Sequence, residues 1–557
     1  MEEKISQVIQ ELFDVQTPIQ LSRPEPEFGD YATNIALQLA GRLQKNPREI
    51  AEEIAGKLRE TGEYADVSIA GPGFINFRVS DSVLKSELEH MTQPGYGKSH
   101  AYDGKVVVTE YSDPNPFKVL HAGHFYTSVV GDAISNLIEQ AGGNVHRVNF
   151  GGDVGLHVGK TIWAITQKLG GEFPEKLQDI PEGERSEWMA ACYVEGTNAY
   201  EENEQAKVEI TTLNKKVYLI HSENDHESAL AQIYWTCREW SYDYFNAFYD
   251  RIGTSFEKYY PESETAPTGL ATVLEQKEKG VYEDSEGAVI FKGETYDLHT
   301  RVFVNKEGLP TYEAKDVGLS IKKWEDYQFD QSVIITGNDI TEYMKVVLKS
   351  IEQFLPELAK RTLHMTHGNV KLAGGVKMSS RKGNFLRAVD VLEIAADENE
   401  KTQGNRDDAP VLGAIKYAFL KNRIGPDLIF DPHESVGLQG NSGPYLQYAH
   451  ARAVSILDKI PVDFSSATVD SFDANERSLL VKMTEYTEVI EQATQQLAPH
   501  LVCTYLYELA QVFNRFYENS HIVGDDREAI RAQLVAAYAN NLKSGLGLLG
   551  IQAPDHM

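Results

Sequence analysis

A chain of 557 residues is too long for one ordinary hydrophobic core, so roughly three or four domains are expected. Its composition, 41% hydrophobic and 24% charged, is typical of a globular protein. The net charge of −30 argues against a protein that binds nucleic acid indiscriminately, because phosphate binding depends on lysine and arginine. Any nucleic-acid site must therefore be a local basic patch.

The sequence contains neither a membrane-span pattern nor a secretory signal. No run of 18 or more residues is apolar, and the N-terminal stretch MEEKISQVIQELF predicts an acidic amphipathic helix. The cysteines, at positions 192, 237 and 503, are too widely separated for a disulfide framework or a cysteine-type zinc site. These features favour a reducing cytoplasm.

Residues 1 to about 100 predict a small α+β domain. Helical spacing in "EPEFGDYATNIALQLAGRLQKNPREIAEEIAGKL" is broken near Asn46 and Pro47, which indicates two helices. The segment "VSIAGPGFINFRV" alternates like a pair of strands around the turn Gly71-Pro72-Gly73. Without further context, this domain could be a structural appendage.

Residues 101–400 carry the pattern of a parallel sheet. A β-branched strand (105–113), a helix (121–141) and a second strand (144–150) make a βαβ unit. We therefore expect an α/β fold with a doubly wound, Rossmann-type parallel sheet. A charged and mostly helical insertion is expected at about 165–235. The sheet pattern then resumes with "AVIFKG", "RVFV", "PTYEAKDVG" and "QSVIITGND".

Residues 401–557 predict helices, and hence a C-terminal all-α bundle. The helical segments are "VLGAIKYAFLKNRI", "PYLQYAHARAVSIL", "SLLVKMTEYTEVIEQAT", "LVCTYLYELAQVFNRFYEN" and "REAIRAQLVAAYANNLKSGLGLLG".

A tetrad, His121-Ala122-Gly123-His124, stands where the first long helix of the sheet region begins. The two histidines are three residues apart, so they share one face of the first turn, where free backbone N–H groups also point. Gly123 removes a side chain where a flat ring would approach the backbone. The position at the carboxyl edge of the sheet favours a nucleotide site. The alternatives are a His-x-x-His metal site, for which no third ligand is evident, and ordinary polar residues.

A second motif, "GGVKMSSRKGN", begins 253 residues after His121, at Gly374. Its glycines flank Lys377, Arg381 and Lys382, which predicts a flexible loop able to close over a triphosphate. Alone, it could equally be a solvated basic turn. Together with the tetrad, it indicates displacement at phosphorus, in which a protein supplies position and charge.

These motifs resemble the HIGH and KMSKS signatures of class I aminoacyl-tRNA synthetases, here written HAGH and KMSSR. Within that class the chain resembles the arginyl-tRNA synthetase family over essentially its whole length. The similar segments are "EYSDPNPFKVLHAGH", "GLPTYEAKDVG", "FGDYATNIA", "YLQYAHARAVSI" and "FNRFYEN".

The resemblance implies catalytic roles for His121, His124, Lys377 and Lys118, and ATP contacts for His121, Gly123, His124, Lys377, Met378 and Ser379. The histidines and Lys118 would hold the phosphates. Gly123 would let adenine lie against the backbone, and Lys377 would stabilise charge on the β- and γ-phosphates.

The resemblance also implies an arginine pocket, because a guanidinium needs planar carboxylate partners. The matched positions are Glu110, Glu262, Tyr312 and Asp316, with Asn115 near the backbone groups of the amino acid. Tyr312 and Asp316 are four residues apart, on one face of a helical turn.

The chain departs from the family pattern at three places. Ser380 stands where the class signature has lysine, although two basic residues follow at once. Neither Asn338 nor Asp339 maps onto a glutamine that often helps the family to bind arginine. The loop around Asp153 has valine where the family commonly has an aromatic residue.

The implied function is arginine–tRNA ligase. Arginine and ATP would give arginyl-adenylate and pyrophosphate, and the terminal 2′-hydroxyl of tRNA(Arg) would then take the arginyl group. We expect Mg²⁺ with the ATP, no structural zinc, no membrane or DNA partner, a monomer and a cytoplasmic location. Basic residues such as Arg452 would have to share one face to bind tRNA.

Other functions stay open from the residues alone. The rival enzymes are another class I synthetase and a small nucleotidyltransferase with a His-x-Gly-His turn, although the latter class is usually far shorter. The rival from another class is a catalytically dead paralogue that binds RNA or regulates. Intact HAGH and KMS residues argue against it.

Overall fold

The computed structural model describes residues 2–25, 27–93, 95–373, 386–460 and 470–557. The N-terminal part is an α+β domain, as predicted. Its elements are α1 (Glu2–Phe13), β1 (Tyr31–Thr33), α2 (Ile35–Leu43), α3 (Pro47–Arg59), β2 (Tyr64–Ala70), β3 (Phe74–Val79) and α4 (Asp81–Met91). Asn46 caps α3 by accepting a hydrogen bond from the Arg48 N–H, and Pro47 occupies the first turn, so the predicted break is confirmed. The three strands pair antiparallel in the order β1-β3-β2.

The middle of the chain forms a parallel sheet in the order β11-β10-β4-β5-β6. Its strands and their adjoining helices are β4 (Val106–Glu110), α5 (Ala122–Gln140), β5 (Asn144–Gly151), α6 (Leu156–Leu169), β6 (Lys258–Pro261), α10 (Glu262–Glu278), α11 (Tyr312–Tyr327), β10 (Gln331–Gly337), α12 (Thr341–Glu352), α13 (Pro356–Arg361) and β11 (Thr362–His367). Strands β5 and β6 extend the sheet on one side of β4, and strands β10 and β11 extend it on the other side. At such a change of direction, a crevice opens beyond the carboxyl ends of the strands. The predicted doubly wound fold is confirmed.

The helical insertion lies between α6 and β6. It consists of α7 (Arg185–Glu202), α8 (Glu204–Ser222) and α9 (Ala229–Ile252). These helices and α6 share a hydrophobic cluster of their own. The insertion is therefore a separately packed layer that stands beside the crevice.

The structure corrects one expectation about the sheet. The segments "AVIFKG" and "RVFV" do not join the parallel sheet; they form an antiparallel one with strands β7 (Glu283–Ser285), β8 (Ala288–Phe291) and β9 (Arg301–Val304). The connection from β8 to β9 is too short for the crossover that parallel pairing needs, so the two strands pair with each other. The segment "PTYEAKDVG" begins α11, and only "QSVIITGND" contributes a central strand, β10.

The C-terminal part is helical, as predicted. Its elements are β12 (Val370–Leu372), α14 (Ala388–Gln403), α15 (Asp408–Leu420), β13 (Leu428–Phe430), α16 (Pro432–Ser435), α17 (Gly443–Leu457), α18 (Ala474–Thr484), α19 (Tyr486–Gln496), α20 (Pro499–Asn519) and α21 (Glu528–Leu548). The segment expected as one helix, "SLLVKMTEYTEVIEQAT", is divided between α18 and α19.

Helix α5 lies between the parallel sheet and the C-terminal helices, and it is buried along most of its length. Phe125 packs edge-on against Phe248 of α9 and Phe419 of α15. Because α5 is held from both sides, its N-terminal turn is fixed at the crevice.

Candidate active site

The tetrad forms the first turn of α5, with His121 at the N-cap. The His124 N–H donates to Nδ1 of His121 (3.3 Å), and the His121 N–H donates to Nδ1 of His124 (3.1 Å). The two rings stack with their centroids 3.6 Å apart. A ring nitrogen that accepts a hydrogen bond carries no proton, so each neutral ring is protonated at Nε2.

Both histidines are neutral at physiological pH. Burial, together with the positive charge of Lys118, lowers the pKa of His121 to about 4. Burial, with His121 and Lys118 beside it, puts the pKa of His124 well below its usual range. The rings are therefore Nε2–H donors, which can bind phosphate oxygens without the cost of burying two positive charges.

Gly123 is required by the stacked rings. A Cβ at this position would lie 2.8 Å from both Cε1 and Nδ1 of His121, which is closer than real side chains approach. Any larger residue would push His121 out of the capping arrangement. The predicted contact of adenine with the Gly123 backbone stays a prediction.

A cavity of about 870 Å³ lies between this turn and helix α7 of the insertion. Its volume is in the range of small-molecule sites. The described residues that line it are Asn115, Lys118, Val119, His121, His124, Glu184, Glu187, Trp188, Ala190, Ala191, Tyr193, Val194, Glu195 and Arg387. Lys118 lies with Nζ 4.7 Å from the centre of the Tyr193 ring, so the insertion holds this lysine at the cavity. Three of the residues predicted to hold phosphate thus meet at one cavity.

The predicted arginine-binding residues lie in a second, acidic region. Glu262 is the first residue of α10, and its side chain is only 3% exposed. Its Oε2 is 2.6 Å from Nζ of Lys315, whose side chain is buried to a similar degree. Burial alone would lower the pKa of Lys315, but the facing carboxylate raises it, so Lys315 is charged. Burial raises the pKa of Glu262, and the charge of Lys315 opposes that rise. Tyr312 is half exposed, and its ring centre is 5.0 Å from the same Nζ.

Asp316 and Glu110 complete the acidic region. The Tyr343 hydroxyl donates to Asp316, and burial raises the pKa of Asp316 to about 8. Glu110, at the end of β4, is buried and ion-paired with Lys323 of α11. Lys315 and Lys323 therefore neutralise part of a cluster of carboxylates that burial would otherwise penalise.

Asn115 joins the two regions. Its Oδ1 accepts a hydrogen bond from the Gly152 N–H (2.8 Å), and a Cβ on Gly152 would lie 2.6 Å from that oxygen and 3.1 Å from Oε1 of Glu262. The structure thus places a conformationally fixed amide between the histidine turn and the carboxylates. The individual roles of these residues in binding stay predictions.

The comparisons with known proteins decide the family. One family model, "tRNA synthetases class I (R), catalytic domain", matches residues 87–431, more than half of the chain. "Arginyl tRNA synthetase N terminal domain" matches residues 1–79, and "DALR anticodon binding domain" matches residues 446–557. The chain belongs to the arginyl-tRNA synthetase family.

Relatives of the same family match along nearly the whole chain. The arginine–tRNA ligase of Halothermothrix orenii is 30% identical, over 96% of this chain and 94% of its own length. That of Clostridium perfringens is 30% identical, over 98% and 97%. The structure of Thermus thermophilus arginyl-tRNA synthetase has a TM-score of 0.79 at 23% identity and covers 100% of this chain and 99% of its own, so the two share a fold. The resemblance inferred from the motifs is confirmed.

Three site residues expected of a synthetase in this family, Lys377, Met378 and Ser379, lie outside the described residues, as do Ser380, Arg381 and Lys382. Within the described ranges, no group of three or more histidine, cysteine or acidic side chains is placed to hold a metal ion. No helix in those ranges is long and apolar enough to cross a bilayer.

Asp153 lies in the loop where the sequence departs from the family pattern, and the structure gives it defined partners. Its fully buried carboxylate accepts hydrogen bonds from the backbone N–H (2.9 Å) and hydroxyl (2.7 Å) of Ser263 and from Nε of Arg238 (2.9 Å). Ser263 follows Glu262 at the start of α10, and Arg238 belongs to α9. Asp153 therefore fixes the N-terminus of α10, with Glu262 on it, to the insertion.

Sequence reasoning missed Lys315, Lys323 and Arg387. The two lysines are eight residues apart, which places them on one face of α11, and that face is buried. Charged residues on a buried helical stripe indicate ion partners, so this signal was available. Arg387 had no comparable signal, because Glu187 and the other cavity residues beside it are distant in sequence.

Proposed function

We propose that this protein ligates arginine to tRNA through an arginyl-adenylate. The observation that carries the proposal is the pair of neutral, stacked histidines facing an 870 Å³ cavity beside a buried acidic region. The turn suits the phosphates of ATP, and the carboxylates suit a guanidinium. The similarity to the arginine–tRNA ligases of Halothermothrix orenii and Clostridium perfringens supports the same activity.

In the first step, a carboxylate oxygen of arginine attacks the α-phosphorus of ATP. A bond forms between that oxygen and phosphorus, and the bond from the α-phosphorus to the bridging oxygen breaks. Its electron pair stays on the departing pyrophosphate. The Nε2–H groups of His121 and His124 and the ammonium of Lys118 stabilise charge on the phosphate oxygens, so these groups act by position and electrostatics. Mg²⁺ enters as part of the nucleotide substrate.

Arginine recognition rests on Asp316 and Glu262. A guanidinium presents its donors in a plane, which two fixed carboxylates can accept in pairs, whereas an ammonium cannot fill both. Lys315 holds Glu262 in place from the protein side. Tyr312 forms the exposed wall, and Asn115 lies where the amino and carboxylate groups of the amino acid approach the nucleotide.

In the second step, the terminal 2′-hydroxyl oxygen of tRNA forms a bond to the carbonyl carbon of the adenylate, and the bond from that carbon to the phosphate oxygen breaks. AMP leaves with the electron pair, and the hydroxyl proton passes to its phosphate. We propose that residues 1–100 and 401–557 contact tRNA and that residues 101–400 carry the chemistry. The matches to an N-terminal synthetase domain and a DALR anticodon-binding domain support this division. We also propose that the protein acts as a monomer in the cytoplasm, a reducing compartment that suits its three free, buried cysteines.

The test is pyrophosphate exchange into ATP with each amino acid in turn, with and without tRNA. We expect exchange that requires arginine and is strongly stimulated by tRNA(Arg). Robust exchange with glutamate or cysteine and none with arginine would indicate another class I synthetase. An absence of all exchange, with tRNA binding retained, would indicate the catalytically dead paralogue.

A further inference from the structure

Arg387 is joined to the histidine turn through the backbone. The Ala122 N–H donates to the Leu386 carbonyl (2.8 Å), and the Ala388 N–H donates to the Leu120 carbonyl (2.9 Å), so residues 121 and 387 face each other as a β-bridge. Arg387 is also the N-cap of α14. Its position relative to His121 is therefore fixed by main-chain contacts.

The guanidinium of Arg387 is shared between two carboxylates. Nε and Nη2 donate to Asp390 (3.0 Å and 2.6 Å), one turn into α14, while Nη1 donates to Oε1 of Glu187 (3.0 Å) on α7 of the insertion. Asp390 thus orients the plane of the group. Nη1 is the guanidinium nitrogen that faces α7 across the cavity.

Arg387 lines the same cavity as Lys118, His121 and His124. Glu187 lies on the opposite wall, and its side chain is 54% exposed, so this ion pair forms in a solvated setting where its net stabilisation is small. A phosphate oxygen in the cavity can compete with Glu187 for the guanidinium. The contact between phosphate and guanidinium is charge-assisted, and the planar fork of the guanidinium matches the geometry of the phosphate oxygens.

We propose that Arg387 is a phosphate-binding residue of this active site, whose Nη1 exchanges Glu187 for an oxygen of the β,γ-diphosphate of ATP. This inference rests on the proposed function and adds the guanidinium of Arg387 to the positively charged groups that bind ATP. Asp390 is a positioning residue that keeps the fork aimed at the cavity. Glu187 holds the group there while the nucleotide is absent.

The alternative is that Arg387 only ties α7 to α14. Arg387→Gln would then break the contacts to both Asp390 and Glu187, and Glu187→Gln would break one of them. Any effect of the two variants on phosphate binding would therefore have the same sign. A phosphate-binding role predicts opposite effects for Arg387→Gln and Glu187→Gln. The pair of variants therefore separates the two explanations.

The experiment is calorimetric titration of the full chain with inorganic pyrophosphate and, separately, with AMP. We expect Arg387→Gln to weaken pyrophosphate binding by about 10- to 100-fold, the range for a lost hydrogen bond to a charged group, and to leave AMP affinity unchanged. Glu187→Gln should bind pyrophosphate at least as tightly as the wild type. Wild-type affinity in Arg387→Gln, a parallel loss in Glu187→Gln, or an equal loss for AMP would overturn the proposal.

Arg387→Lys is a second variant, to be used if Arg387→Gln does not fold. It keeps the charge but not the planar fork, so we expect a smaller loss of pyrophosphate affinity; no loss in a folded Lys variant would contradict the role of the fork. Pyrophosphate binding requires no arginine turnover. If the wild type shows no arginine-dependent exchange, the proposed function fails, while the titrations still decide whether Arg387 binds phosphate.

Discussion

The two halves of the candidate active site hold polar groups in opposite ways. At the histidine turn, residues three apart cap each other, and burial keeps both rings neutral. In the acidic region, the buried Glu262 and Glu110 are paired with lysines of α11 that lie 53 and 213 residues away in the sequence. Local contacts thus suffice to orient neutral donors, whereas buried charges require partners that tertiary packing supplies.

The comparison predicts different consequences for substitutions in the two halves. A change in the acidic region should affect both stability and arginine recognition. A change in the histidine turn should affect the phosphate chemistry and leave the fold intact.

The largest expected effect is on stability. Lys315→Met leaves the carboxylate of Glu262 buried without its partner, so we expect a loss of about 3–5 kcal/mol in the free energy of unfolding. Urea unfolding followed by circular dichroism measures it. The matched control is Lys306→Met, at a lysine that is 66% exposed, where we expect a change below about 0.5 kcal/mol. Equal changes for the two variants would mean that the buried pair contributes no stability.

The next effect is on chemistry. His124→Ala removes an Nε2–H donor from the developing charge, so kcat for pyrophosphate exchange should fall by about 100- to 1000-fold while the protein stays folded. His100→Ala, at a histidine whose side chain is 81% exposed, is the control and should keep normal exchange. If His124→Ala instead unfolds, with normal activity per folded molecule, His124 is a packing residue.

Arginine recognition gives the third prediction. Asp316→Asn keeps the shape of the side chain but loses the charge and presents a donor where an acceptor is needed. We expect the KM for arginine to rise by about 100-fold, or ~2.7 kcal/mol, with the KM for ATP nearly unchanged. Asp326→Asn, on the same helix but paired with Lys258 outside the acidic region, is the control. An unchanged KM for arginine in Asp316→Asn removes this residue from the pocket.

The smallest effect is a pH dependence. Burial raises the pKa of Asp316 to about 8, so below pH 8 the side chain is mostly protonated and must release its proton when a guanidinium binds. The KM for arginine should therefore fall by about 50-fold in total from pH 6 to pH 8 and level off at higher pH. The KM for ATP should be flat over this range, because the pKa of His121 is about 4 and that of His124 is also low. A KM for arginine that does not vary with pH would show that Asp316 is already ionised.

Features that depend on neighbours in sequence were predictable. The βαβ unit, the break before Pro47 and the histidine turn all follow from residue spacing, because a helix or a cap forms from residues a few positions apart. The motifs were also specific enough to indicate the family. The antiparallel sheet β7-β8-β9 was not predicted, since short alternating segments do not reveal which strands they pair with.

The sequence by itself determined the order of the parts and the chemistry of the histidine turn. Only the tertiary structure decided that Lys315 faces Glu262, that Asp153 joins α10 to the insertion, and that Arg387 meets Glu187 across the cavity. The physical reason is that these contacts join segments brought together by the strand order and by the packing of the insertion. Whether a buried charge has a partner, and hence whether it is tolerated, depends on that packing.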